Sequence, residues 1–104
     1  GSQTRSFCYV SDLVDGLMKV NEKNNESGMV VNLGNPNELS IRAIAEKIKL
    51  LTRSNSEITY NALPPDDPKQ RKPDITRAKT IFGFDPQVTL DDGLRTTIEY
   101  FRNI

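Results

Sequence analysis

Apolar positions along the chain change period several times, and the changes predict its elements. Leu13, Val14, Leu17, Met18 and Val20 recur at helical spacing and predict a helix from about Ser11 or Asp12 to Asn21. Ser11 or Asp12 suits its N-cap. Asp12 with Asp15 resembles a capping box, because each carboxylate can accept from free amides of the first turn. Ile41, Ile44, Ala45, Ile48 and Leu51 form the clearest helical stripe, behind Ser40 as N-cap, with Arg42, Glu46, Lys47 and Lys49 turned away. Asp74 is read as the cap of a short helix ending at Phe82, where Gly83 suits a left-handed exit. Thr89 caps a last helix with Leu94, Ile98 and Phe101 as its buried stripe, and Asp91 and Asp92 favour its positive end.

Three runs read as strands: Phe7-Cys8-Tyr9-Val10, Met29 to Leu33 before the turn Gly34-Asn35-Pro36, and Glu57 to Tyr60. Residues 21–28 form a polar loop. A charged, proline-punctuated run from Asp66 to Asp74 follows the third strand. The order strand, helix, strand, helix, strand, loop, helix, helix describes a small α/β unit. Its sheet is thin enough to need a neighbouring domain.

Composition narrows the function. At 104 residues the chain is one domain, or part of one, with a modest core. Fourteen basic residues balance fourteen acidic ones, so no global field draws nucleic acid or an acidic membrane. Anion binding must then come from local placement of arginines. No run approaches the length of a membrane span. A single cysteine, Cys8, excludes an internal disulfide and a cysteine-rich zinc site, and its apolar setting reads as a small buried hydrophobe. The lack of histidine removes Ser-His and Cys-His catalysis and the commonest metal ligand. There is no Gly-x-Gly-x-x-Gly, Walker-type loop or Tyr-x-x-x-Lys spacing, so neither a catalytic set nor a nucleotide cradle is expected. Gly1-Ser2 reads equally as an expression remnant or as native sequence. The abrupt start suggests a piece of something longer.

Three features could carry binding. Arg71 lies in a loop stiffened by Pro64, Pro65, Pro68 and Pro73, which suits a bidentate clamp on a diphosphate or carboxylate, with Gln70 or Lys72 helping. The same pattern also describes a solvated loop whose arginine pairs with Asp66 or Asp67. Gln3 and Arg5 flank Thr4 and point the same way in an extended chain, as a phosphate grip or as an ordinary strand edge. Gly34 either lets backbone approach a ligand or makes a tight turn. Tyr9, Tyr60 and Tyr100 read as packed rings with polar tips.

Taken in order, several stretches resemble one family: Gln3-Thr4-Arg5-Ser6-Phe7 with Tyr9-Val10-Ser11-Asp12-Leu13; Val31-Asn32-Leu33-Gly34-Asn35-Pro36; Asp66 through Ile75; Gly83-Phe84-Asp85-Pro86; and Leu90-Asp91-Asp92-Gly93-Leu94. They are similar to the C-terminal part of extended short-chain dehydrogenase/reductases, the NAD-dependent epimerases and dehydratases of nucleotide sugars. The Asn-Leu-Gly-Asn-Pro and Asp-Asp-Pro-x-x-Arg-Lys-Pro-Asp-Ile stretches look most like the UDP-glucuronate decarboxylase branch. The resemblance implies an α/β substrate-binding subdomain over residues 1–104, with short strands, about four helices and no Rossmann domain of its own. It implies a parent enzyme, a homodimer, that converts UDP-glucuronate to UDP-xylose and carbon dioxide. The sugar is oxidised at C4, decarboxylated and reduced again, and NAD and the catalytic residues lie in a missing N-terminal domain. By resemblance Arg5 contacts the diphosphate, Gln3 supports the nucleotide side, and Arg71 reaches the substrate and assists decarboxylation. The chain alone is then inactive. Another nucleotide-sugar epimerase or dehydratase, or a free-standing interaction module, is the alternative.

Overall fold

The computed structural model describes residues 1–23 and 28–104, so the expected loop at 21–28 falls partly outside the described residues. The elements are β1 (Thr4–Ser6), α1 (Val10–Glu22), β2 (Glu38–Ser40), α2 (Ile41–Thr52), α3 (Thr76–Phe82) and α4 (Leu90–Arg102). β1 and β2 pair antiparallel, with Thr4 opposite Ser40 and Ser6 opposite Glu38. The pairing continues into α2, because the Ile41 and Arg42 amides donate to the carbonyls of Gln3 and Gly1 at 2.9 and 3.0 Å.

All four expected helices are present. Ser40 caps α2 by accepting from the Ala43 amide at 3.0 Å, and Thr89 caps α4 by accepting from Asp92 at 3.2 Å. Gly83 ends α3 at φ 68°, where a side chain would be strained. The α3 start differs from expectation. Ile75 holds the cap position, and Asp74 serves from one residue further out, its carboxylate accepting from the Thr76 amide and hydroxyl at 3.0 and 2.7 Å.

The strands differ more. Residues 7–9 form a loop, and neither 29–33 nor 57–60 belongs to a ladder, so among the described residues the sheet has two strands instead of three. β1 stops at Ser6 because its partner does. Ahead of β2, Asn35 Oδ1 accepts from the Asn37 amide and curls the chain away. Strand propensity measures fit to a pleated, half-buried surface, so runs with no neighbouring strand among the described residues stay merely extended. Residues 29–33 still serve the core. Val31 and Leu33 pack against Ile75, Ala78 and Phe84, and Phe84 is fully buried.

Helix α1 faces the other way from expectation. Val10, Leu13, Val14, Leu17 and Met18 are 37–62% exposed, and the buried positions are Asp12 and Gly16. Gly16 lies so close to Phe84 that a Cβ there would sit 2.9 Å from the ring. Asp12 caps nothing in its own helix. Tyr9 is the N-cap, without a side-chain bond, and the Asp12 carboxylate reaches across to the Gln87 and Val88 amides, both at 3.0 Å. Asp15 pairs with Lys19 at 3.0 Å instead of completing a capping box. On α4, Leu94 and Ile98 are half-buried, but Phe101 is 63% exposed and meets Tyr100 edge-to-face. Lys47 on α2 joins Asp91 on α4 at 2.7 Å, which ties the two helices together.

Candidate functional site

Three segments converge on a cleft of about 420 Å³. β1 supplies Arg5 and Ser6, the extended run supplies Asn32 to Asn35, and the proline-rich loop supplies Arg71, Lys72 and Pro73. Gly34 makes the convergence possible. Its backbone is not in the left-handed region, but a Cβ would lie 3.0 Å from Cγ of Pro73, so the requirement is close approach and not a turn.

The proline-rich loop is seated by two contacts on β1. The Thr4 amide donates to the Lys69 carbonyl at 2.7 Å, and Arg5 Nη2 donates to Asp67 Oδ1 at 2.5 Å. A turn inside the loop is closed by the Asp67 amide on the Pro64 carbonyl at 3.1 Å. Arg5 Nη1 also donates to the Thr4 carbonyl at 2.6 Å, and with 16% of its side chain exposed this guanidinium is held rather than waving. Arg71 is exposed and, among the described residues, makes no ion pair or side-chain hydrogen bond.

Three cationic side chains, Arg5, Arg71 and Lys72, thus line the cleft, and no acidic side chain does so among the described residues. Such a lining accepts an anion, and the planar fork of each guanidinium matches phosphate or carboxylate oxygens. Asp74, just beyond, is committed to Thr76. The hydroxyl and amide of Thr76 hold its carboxyl below the usual carboxylate range. Cys8 also lines the cleft, but it is half-buried in the β1–α1 loop and not in a strand. Burial, with the negative charge of Asp12 behind it, pushes its thiol up, away from the thiolate a nucleophile needs. The described residues include no cluster of candidate metal ligands and no helix long and apolar enough to cross a membrane.

The structure therefore brings Arg5 and Arg71 together and leaves Gln3 out. Gln3 is half-buried ahead of β1, uses its carbonyl on α2 and does not line the cleft. Asp67, one of the two candidate partners of Arg71, pairs with Arg5 instead. Asn32 and Asn35, which bracket Leu33 and Gly34 in the extended run, line the cleft with them. Asn32 also donates to the Asp74 carbonyl at 3.4 Å.

The fold is that of the C-terminal subdomain of an extended short-chain dehydrogenase/reductase. The chain superposes on the UDP-glucuronic acid 4-epimerase of Bacillus cereus, solved with UDP-glucuronic acid and NAD, at a TM-score of 0.90 and 32% identity over 99% of this chain and 33% of that one. An epimerase from Methanothermobacter thermautotrophicus matches at a TM-score of 0.93 and 29% identity, over 99% of this chain and 31% of that one. In sequence the chain matches UDP-glucuronic acid decarboxylases: number 5 of Arabidopsis thaliana at 50% identity and number 1 of Xenopus tropicalis at 51%. Both matches cover 98% of this chain, which spans 29% and 24% of those proteins. No protein-family model matches.

A dinucleotide phosphate needs free amides at a helix N-terminus behind a glycine-rich turn. At the passage from β2 to α2, the Ile41, Arg42 and Ala43 amides are already bonded to Gln3, Gly1 and Ser40.

Proposed function

We propose that this chain is the nucleotide-sugar-binding part of an NAD-dependent UDP-glucuronate decarboxylase, which releases carbon dioxide from UDP-glucuronate to give UDP-xylose. The observation that carries it is the cleft in which Arg5 and Arg71, from segments 66 positions apart, meet with no acidic side chain lining the space among the described residues. The half-identity to curated decarboxylases over nearly the whole chain supports the same reading. In this proposal Arg5 and Arg71 hold the diphosphate, with Arg71 also within reach of the sugar carboxylate. Gln3, outside the cleft here, supports the nucleotide only if its side chain is turned by the rest of the protein.

NAD and the proton- and hydride-transferring groups belong to the remainder of the parent protein, so the chain alone neither binds NAD nor turns substrate over. The homodimer is inferred from the family resemblance. The exposed apolar face of α1 is the surface by which the chain would dock on the missing domain. A C4-epimerase is the second reading, favoured by the superposition on a UDP-glucuronic acid 4-epimerase. Incubating the full-length protein with UDP-glucuronate and NAD decides between them. Decarboxylation gives UDP-xylose and carbon dioxide, whereas epimerisation gives an uronic acid product that keeps its carbon.

A further inference from the structure

The Arg5–Asp67 contact joins two segments 62 positions apart in sequence and holds an arginine that lines the cleft. It can be read in two opposing ways. Asp67 either occupies Arg5 as an internal anion that a ligand must displace, or it holds Arg5 where a ligand can use it. The donor count favours the second. A guanidinium carries five N–H groups, and Arg5 uses one on Asp67 and one on the Thr4 carbonyl, so donors remain for an incoming phosphate. The loop geometry points the same way. Residues 61–74 contain no helix or strand, and their hydrogen bonds to β1 are the Lys69 carbonyl and the Asp67 carboxylate, on either side of Pro68. Arg71 lies four residues beyond Asp67, so the seat of Asp67 governs where Arg71 emerges.

We propose that Asp67 is a positioning residue, which by gripping Arg5 sets both the rotamer of Arg5 and the seat of the loop that carries Arg71. Both guanidinium groups then face one diphosphate. This rests on the reading of the cleft given above. It extends that reading by assigning affinity to an acidic residue that does not line the cleft.

The test uses full-length protein and UDP as the probe, by calorimetric titration, with melting curves alongside. Asp67→Asn removes the charge with little change of shape. It should weaken UDP binding about tenfold, in line with the loss of one charge-assisted contact, and leave Tm nearly unchanged. Asp67→Glu keeps the charge and should restore most of the affinity. In an Arg71→Ala background the further effect of Asp67→Asn should shrink to about threefold, the share that acts through Arg5, because coupled residues are not additive. Tighter UDP binding in Asp67→Asn would mean that Asp67 competes with the ligand, which overturns the proposal. So would unchanged affinity, or a full additive loss in the Arg71→Ala background. If Arg71→Ala alone leaves UDP binding intact, the reading of the cleft falls as well.

Discussion

Asp12 Oδ2 accepts a hydrogen bond from the Val88 amide at 3.0 Å, across 76 positions of sequence. The other carboxylate oxygen takes the adjacent Gln87 amide, so one buried side chain fastens the passage between α3 and α4 to the first turn of α1. Asp12 is buried, and hydrogen bonds to a charged acceptor contribute about 1.5–3 kcal/mol each. Asp12→Ala should therefore destabilise the protein by about 2–4 kcal/mol. Asp12→Asn, which keeps one acceptor, should lose less. Urea unfolding of the three proteins checks the order.

Gly16→Ala sets two effects against each other. Alanine favours a helix over glycine by about 1 kcal/mol, while a Cβ placed 2.9 Å from the buried Phe84 ring forces repacking that costs about 1–3 kcal/mol. Overpacking wins, because a fully buried ring has nowhere to move. The expected result is a lower Tm for Gly16→Ala, relieved when Phe84→Leu is added. A rise in Tm on Gly16→Ala would contradict the close packing of α1 on Phe84.

The Asp91 carboxyl is held below the usual carboxylate range, chiefly by its hydrogen bond to Lys47. Its folded value lies below its unfolded one. Its contribution is therefore present above the ordinary carboxylate range and is lost as pH falls through the depressed folded value. Asp74, lowered by Thr76, acts in the same direction. Replacing Lys47 by Met should flatten the acid limb of a stability-against-pH curve and change little near neutrality. An unchanged acid limb would show that the contact is not kept in solution.

The apolar stripe on α1 predicts opposite behaviour in two settings. Leu17 and Met18 are 56% and 59% exposed, and covering what remains of each side chain is worth about 1–1.5 kcal/mol. Leu17→Lys should reduce self-association of the isolated chain, read by sedimentation over a range of concentrations. The same change should lower Tm in the full-length protein, where the proposed docking covers this face. Equal Tm values there would leave the stripe without a partner.

The sequence made the four helices legible, because Ser40, Thr89 and Gly83 act within a few residues of themselves and their stereochemistry is local. Strands were harder to read. The run at Phe7 to Val10 has the composition of a strand, but pairing depends on a partner that composition does not name. The direction of α1 was hidden for a related reason. Leu13, Val14, Leu17 and Met18 look like a buried stripe, whereas the surface that packs inward is set by Asp12 and Gly16, whose partners lie about seventy positions away. In the candidate site, residue type and the stiffness of the loop leave Arg5 and Arg71 open between a ligand grip and ordinary surface charge, and the family resemblance is what gives them a proposed role. The Arg5–Asp67 contact follows no spacing rule and could only be seen in three dimensions.

The central claim is that Arg71 grips the nucleotide-sugar substrate. Steady-state kinetics of full-length Arg71→Ala on UDP-glucuronate test it most directly, with a melting curve for the same preparation. Loss of a charge-assisted contact of about 1.5–3 kcal/mol should lower kcat/KM by roughly ten- to a hundredfold while Tm stays close to that of the parent. Arg71→Lys should recover little, because one ammonium cannot reproduce the planar fork. A kcat/KM for Arg71→Ala equal to that of the parent would contradict the account.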